Sequence, residues 1–489
     1  MATMLNTFAQ EVDTLRWAQA LNTLHKYNKS YKLLNAYYPH HKDEIYAGWM
    51  YANALHQTKK YKKSQEIYSR TIQLFPDNID LKLDYAIKLA ESGNFEESVY
   101  QLNEMNDSLP IEYLFAIQKT RAKIYYWQGK YDESLAEINQ ALELYNNDPE
   151  AIDLKNNISL ARSNWLIIDA SYFEDDQPLK IITPTVETIF YKNAKLSGGL
   201  SLNAPLFFQE DGVYSSQWLN AMIQFQFLPS KIRLRLNAGF IKFPSNDFDW
   251  TGAVQVYKKF AKHMELGLIA ERKPYLSTEA SVNEKVMQTT YGVFLSWNDA
   301  NGWLGNASFD LNRFPAYNNQ YYTVSAWLVT PELKMSVFGF RIGYGFNYSD
   351  SEESNFISKY SLNEIVQKWD TATEIPGVYD PFFSPNKQTI HSAILIVSII
   401  PSKKIGITLN TNYGFIATAK TPYLFLNNGE GNGLFIDRGF FDDSYHPIQF
   451  DCNISYNISP TFSINGNYTY QSTNFYVGQV FGLTTILHF

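Results

Sequence analysis

The stretch "IQFDCNISYNISPTFSINGNYTYQ" (448–471) decides the fold. In its first half Ile448, Phe450, Cys452, Ile454 and Tyr456 alternate with Gln449, Asp451, Asn453, Ser455 and Asn457. Past the short "ISP" break, Phe462, Ile464, Tyr468 and Tyr470 alternate with Ser463, Asn465, Asn467, Thr469 and Gln471. A period of two puts alternate side chains on opposite faces of a strand. The stretch therefore reads as an antiparallel hairpin with one aromatic, apolar face and one face of amides and hydroxyls. In "VFGFRIGYGFNY" (337–348) the same division separates Phe338, Phe340, Ile342, Tyr344, Phe346 and Tyr348 from Gly339, Arg341, Gly343, Gly345 and Asn347.

A soluble β-sandwich also alternates, so the connections and the composition must decide. From residue 164 onward, short links such as "LPSK" (228–231), "FAKH" (260–263), "IPSKK" (400–404) and "ISP" (458–460) take turns with long ones at 271–285, 349–388 and 416–447. Short turns at one end and long loops at the other describe a transmembrane β-barrel. Aromatics make up 16% of the 489 residues and charged groups only 18%, which suits girdles of rings at membrane interfaces. The longest apolar run, "AILIVSII" (393–400), is far short of the ~20 residues a spanning helix needs. About sixteen strands fit into residues 164–489 at roughly twenty residues per strand and turn. In "GQVFGLTTILHF" (478–489), Phe481, Leu483, Leu487 and Phe489 share the apolar side. This final strand resembles the assembly signal of bacterial outer-membrane barrels.

The first third follows another rule. Tyr27, Tyr61, Phe95 and Tyr131 recur at spacings of 34, 34 and 36 residues. Nine residues before each ring stands Ala18, Ala52, Ala86 or Ala122, and three after it Ser30, Ser64, Ser98 or Ser134. Small residues at a fixed period let paired helices approach closely and stack into a solenoid. The pattern resembles tetratricopeptide repeats, about four of them plus a linker helix, over residues 1–163. Such a resemblance implies a concave surface that docks a protein or an extended ligand.

The net charge of −8 gives no reason to expect a nucleic-acid partner, and one cysteine cannot build a disulfide framework. The opening residues lack the basic and apolar regions of a secretory signal, so any such signal is expected to lie outside this sequence. No G-x-S-x-G, H-E-x-x-H, P-loop or C-x-x-C pattern occurs, so neither catalysis nor a metal or cofactor is expected. The acidic "FEDDQ" (173–177) and "FFDDSYH" (440–446) read as solvated loop charges. The pore-lining candidates on the polar faces are Arg233, Arg235, Lys259, Glu271, Lys273, Asp310, Arg341, Asp451, Asn453, Asn465 and Asn467. Arg233 and Arg235 are expected either to grip acidic groups on a passing polymer or to hold an inward-folded loop through Asp442 and Asp443.

A repeat solenoid leading into a barrel resembles the outer-membrane exporters of cellulose and poly-N-acetylglucosamine, and the barrel is similar to the YaiO-like family. The resemblance implies an outer-membrane location with repeats in the periplasm and long loops outside. It further implies a porin-like conduit for polysaccharide, its repeats docking the polymer or a modifying or synthetic partner. The alternative is an accessory subunit of a larger outer-membrane complex for secretion, motility or envelope assembly, with the repeats as platform and no transport.

Overall fold

The structure, a computed structural model, describes residues 14–489 apart from 106–108, 177–178, 194, 210–211, 228–229, 262, 300–301, 369–374 and 430–432. It divides into two units, one ending at Ala161 and the other beginning at Arg162.

In the first unit, residues 14–23 (α1) are followed by Tyr27–Tyr37 (α2), Ile45–Gln57 (α3), Tyr61–Leu74 (α4), Ile79–Glu91 (α5), Phe95–Asn103 (α6), Ile111–Trp127 (α7), Tyr131–Leu144 (α8) and Pro149–Arg162 (α9). These are four helical hairpins and a ninth helix. Each periodic ring in the sequence is the first residue of the second helix of its pair. The turn before it needs a left-handed residue, supplied by His25, Lys59, Gly93 and Gly129 with φ of 55°, 61°, 86° and 72°. The alanine and serine periods have one cause. Ser30, Ser64, Ser98 and Ser134 donate their hydroxyls to the carbonyls of Ala18, Ala52, Ala86 and Ala122 at 3.2, 2.7, 2.6 and 2.7 Å. All eight residues are buried, so only small side chains let the helices come within that reach.

The second unit is a closed antiparallel barrel of sixteen strands: Trp165–Asp175 (β1), Lys180–Asn193 (β2), Leu196–Asn203 (β3), Gln217–Phe227 (β4), Ile232–Lys242 (β5), Phe248–Ala261 (β6), Met264–Pro274 (β7), Met287–Asn298 (β8), Leu304–Phe314 (β9), Asn319–Val329 (β10), Phe338–Ser351 (β11), Gln388–Ser402 (β12), Ile405–Gly429 (β13), Ile448–Ser459 (β14), Phe462–Ser472 (β15) and Val477–His488 (β16). β1 closes the ring by pairing with β16 from Trp165↔His488 to Asp175↔Gly478, so no sheet edge is left open. At the near end of the barrel, where β1 starts and β16 finishes, Asn164 and Phe489 exchange backbone hydrogen bonds of 2.9 and 3.0 Å.

The outward face carries two girdles of exposed rings. Phe190, Phe227, Phe260, Trp297, Phe338 and Tyr456 stand near that end, and Phe240, Phe248, Trp250, Tyr291 and Tyr322 near the far end. Between them lie exposed aliphatics such as Ile168, Val186, Leu200, Ile223, Val254 and Leu268. In water this band would be a large apolar liability; in lipid it is the surface the bilayer covers. Phe481, Leu483 and Leu487 belong to it, and Phe489 is exposed at the near end.

The connections depart from the expected strict alternation of length. Near-end turns are short, the longest being 330–337, but at the far end 176–179, 243–247, 315–318 and 473–476 are short as well. The stretch 416–447 is not a loop. β13 runs on to Gly429 and pairs with Gly433–Tyr445, making a hairpin that extends beyond its neighbours.

Candidate functional site: the barrel interior and its closed mouth

Register fixes which side chains point inward. Arg233 pairs with Gln226 and Tyr257, Glu271 with Ala253 and Thr290, Asp310 with Gly292 and Thr323, Arg341 with Ile396, and Asp451 with Asn410 and Thr469. Arg235, Lys259 and Lys273 lie two residues from members of that set, and Asn453, Asn465 and Asn467 continue it across β14 and β15. All eleven sequence candidates therefore share the inner face, spread around the ring and not gathered at one point. Gly292 makes room for Asp310, whose Oδ1 would lie 2.4 Å from a Cβ there.

Several of the charges are already engaged. Arg233 reaches Glu265 at 3.6 Å and lies over the Tyr257 ring at 4.3 Å. Lys273 pairs with Glu271 at 3.0 Å. Asp451 accepts from Thr469 at 2.9 Å and from Asn410 at 3.3 Å. The Arg341 guanidinium turns to the near-end carbonyls of Gly302 and Thr330, at 2.7 and 3.0 Å. The expected link from the arginine pair to Asp442 and Asp443 is not made. Asp442 pairs with Lys420 at 3.6 Å, and Asp443 accepts from Thr421 at 3.3 Å. Both stand on the far-end hairpin, whereas Arg233 lies at the near end of β5, a whole strand length away.

A loop does fold over the barrel, but aromatic rings hold it. The 352–387 connection contains a small two-stranded sheet, Phe356–Ser358 with Gly377–Tyr379, and the helix Leu362–Lys368. Ile365 of that helix packs with Ile375 on Leu424 of the extended hairpin. Beyond it, "PFFSP" (381–385) crosses the mouth. The Phe382 ring stacks on Phe314 at the end of β9 and meets Tyr275 and Tyr317 edge-on. Phe383 stacks on Phe475, between β15 and β16, with centroids 4.2 Å apart. Polar links fix the backbone: Thr278 donates to Pro381 O at 2.5 Å, and the Phe383 N–H donates to the Tyr275 hydroxyl at 3.3 Å. The 275–286 loop reaches the opposite way, burying Val282 against Leu179, Ile181 and Phe207. Burial pushes the hydroxyls of Tyr275, Tyr317 and Tyr379 above the ordinary phenol range.

Beneath these loops lies a cavity of about 590 Å³. Tyr275, Trp327, Tyr379, Phe383 and Phe475 supply ring surface, and Asn347, Gln388, Asn412, Gln449 and Gln471 supply amides. Asp175 is its one charged lining residue among those described. Rings beside amides offer stacking plus neutral donors and acceptors, the chemistry that suits hydroxyl-rich ligands. Sequence reasoning missed the mouth residues Phe314, Phe382, Phe383 and Phe475. The available signal was a pair of phenylalanines between prolines in a segment otherwise read as a solvated loop.

Together these features define a transmembrane sixteen-stranded β-barrel preceded by tetratricopeptide-type helical hairpins. No family model matches the chain, and no curated protein matches it. Among solved structures it is similar to one described as a bacterial polysaccharide outer membrane secretin, at 11% identity and a TM-score of 0.47, over 67% of this chain and 99% of that one. It is also similar to MamA AMB-1 at 16% identity, a TM-score of 0.26, and 31% and 81% coverage. A third similarity is to pilF of Pseudomonas aeruginosa, at 15% identity, a TM-score of 0.28, and 30% and 67% coverage. At such levels of similarity, function has to be argued from this chain's own residues.

Proposed function

We propose that the protein is an outer-membrane export conduit for a neutral polysaccharide, gated at its outer mouth by the 352–387 and 275–286 loops. In this reading the repeats lie in the periplasm and dock the polymer or a protein that makes or modifies it. The long loops face outside, as in the cellulose and poly-N-acetylglucosamine exporters that the architecture resembles. No bond is made or broken, and the chain acts without a cofactor. One observation carries the proposal: the cavity at the closed mouth combines stacked rings and amides with a single carboxylate. A steep single-sign ring of charge would favour ions, whereas this lining favours hydroxyls.

The test is reconstitution of the full chain in planar bilayers beside a variant whose residues 356–384 are replaced by a short Gly-Ser linker. The intact protein should be nearly closed. The shortened variant should conduct and should pass or be blocked by neutral cello-oligosaccharides. A barrel that assembles, stays closed after loop removal and ignores oligosaccharides would overturn the conduit in favour of the scaffold alternative.

A further inference from the structure

A second, smaller cavity, of about 200 Å³, opens on the inner wall between β2 and β7. Glu187 pairs across the strands with Ser201, Ser201 with Asn220, and Asn220 with Gly239, so the cavity is a continuous patch of inner face. Glycine opens the space: Gly199 lines it, and a Cβ there would lie 2.6 Å from Thr188 O and 3.3 Å from Met222 Cε. One ring stands at its edge. Trp218 is held by its indole N–H, which donates to Asn220 Oδ1 at 2.9 Å and to Thr251 Oγ1 at 3.1 Å.

The charges within it are arranged unlike those elsewhere on the wall. Glu271 is neutralised by Lys273, and Arg272 is held by Asp249 at 2.9 Å. Glu187 and Arg235 are drawn into no ion pair among the described residues, and the Arg235 Nε–H is buried with no protein acceptor among them. The cleft thus offers one carboxylate, one guanidinium and a fixed indole, with no net charge between the first two. A single sugar ring is complementary to this set. Its C–H face stacks on an indole, its hydroxyl hydrogens suit a carboxylate, and its hydroxyl oxygens suit a guanidinium fork. An ionic sugar would satisfy one charged group and oppose the other.

We propose that this cleft is a subsite for one neutral, hydroxyl-bearing sugar unit, stacked on Trp218 and held by Glu187 and Arg235. Trp218 also packs with Ile241, Phe243 and Met287 against Leu276 of the 275–286 loop, so the subsite adjoins the closure of the mouth. That a polymer supplies the sugar rests on the export reading; the subsite itself does not depend on it.

The experiment is calorimetric titration of the detergent-solubilised full chain with cellotriose, and in parallel with trigalacturonate as the acidic comparator. Glu187→Gln and Arg235→Gln should each weaken cellotriose binding about tenfold or more, the loss expected for one hydrogen bond to a charged group. Lys403→Gln, in a near-end turn outside the cleft, should leave it unchanged. Heat-modifiable migration establishes that each variant barrel is closed, and Glu187→Asp and Arg235→Lys serve as conservative replacements should either amide variant fail to assemble. Wild-type protein that does not bind cellotriose, folded cleft variants that bind it as wild type does, or tighter binding of trigalacturonate would each overturn the subsite. Conduction by the loop-shortened barrel with unaltered binding in the cleft variants removes the subsite and leaves the conduit. Lost binding in those variants with no conduction does the reverse.

Discussion

Phe382 lies flat against Phe314, with ring centroids 3.6 Å apart and planes 8° from parallel, joining the last stretch of the 352–387 connection to the end of a distant strand. Both rings are buried, Phe382 at 1% and Phe314 at 0% exposure, at a place where a flexible surface loop would leave them wet. Truncating a buried phenylalanine costs about 3–5 kcal/mol. At about 1.4 kcal/mol per factor of ten, Phe382→Ala should favour the open mouth by roughly a hundredfold or more. Because the side chain belongs to a loop, barrel yield should hold while single-channel openings become frequent. A variant as silent as wild type would show that Phe382 does not keep the mouth shut.

The serine-to-alanine hydrogen bond repeated through the helical unit gives a second expectation. Ser98→Ala removes a buried 2.6 Å bond to the Ala86 carbonyl and should cost about 1 kcal/mol. Ala86→Leu fills space that the close approach of α5 and α6 does not leave, and should cost about 1–3 kcal/mol through overpacking. Thermal melts of the helical circular-dichroism signal of the full chain report both, and Ala86→Leu should melt lower than Ser98→Ala. The reverse order would mean that hydroxyl bonding, not helix spacing, limits the repeat.

Acid should act on the repeats through Glu91. Its carboxylate accepts from His56 at 3.1 Å and from Lys88 at 3.0 Å, and these bonds, His56 first, hold it down at about 2 against an ordinary 4.5. Between those values the unfolded chain binds the proton and the folded one does not, so stability rises with pH across the window. The contribution is complete above 4.5 and is lost as pH falls from 4.5 toward 2. Glu91→Gln should flatten this part of the stability profile of the helical unit, as followed by its melting temperature. An unchanged slope would exclude Glu91 as its source.

Arg341 should matter for assembly and not for passage. Its guanidinium joins two near-end turns by donating to Gly302 O and Thr330 O. Arg341→Gln should destabilise the barrel by about 2 kcal/mol, the scale of a charged donor's hydrogen bonds. The temperature of heat-modifiable migration should fall, while the conductance of the loop-shortened protein stays the same. Altered ion preference would instead place the guanidinium in the water path.

The strands and the repeats were legible because each obeys one local period, two for Phe450–Asp451–Cys452 and 34 or 36 for the ring that opens each second helix. The inner face was legible for the same reason, since register carries Arg233, Asp310 and Asp451 to one side together. The mouth was not. Phe314, Phe382 and Phe475 stand on three separate connections, and no local period links them. In sequence the extension of β13 reads as a loop because Leu424 buries on Ile365 and Ile375. With both of its faces partly covered, it lacks the one-sided alternation of its neighbours. Charge complementarity points Arg233 and Arg235 at a loop held through Asp442 and Asp443, but that link is not made. The end of the strand at which each residue lies is set by the ring's register and by no local pattern.

The aromatic closure also bears on what it costs a cell to carry such a barrel. A ring of sixteen strands leaves a lumen wide enough for small solutes to cross without selection. Left open, every copy would be a route for antibiotics, bile salts and dyes through an envelope whose value lies in excluding them. On the export reading, an idle copy with Phe382 and Phe383 seated keeps that envelope tight, and abundance and drug sensitivity are uncoupled. Cells carrying an open-mouth variant would take up vancomycin-sized compounds in proportion to the number of barrels they display, whether or not any polymer is being made.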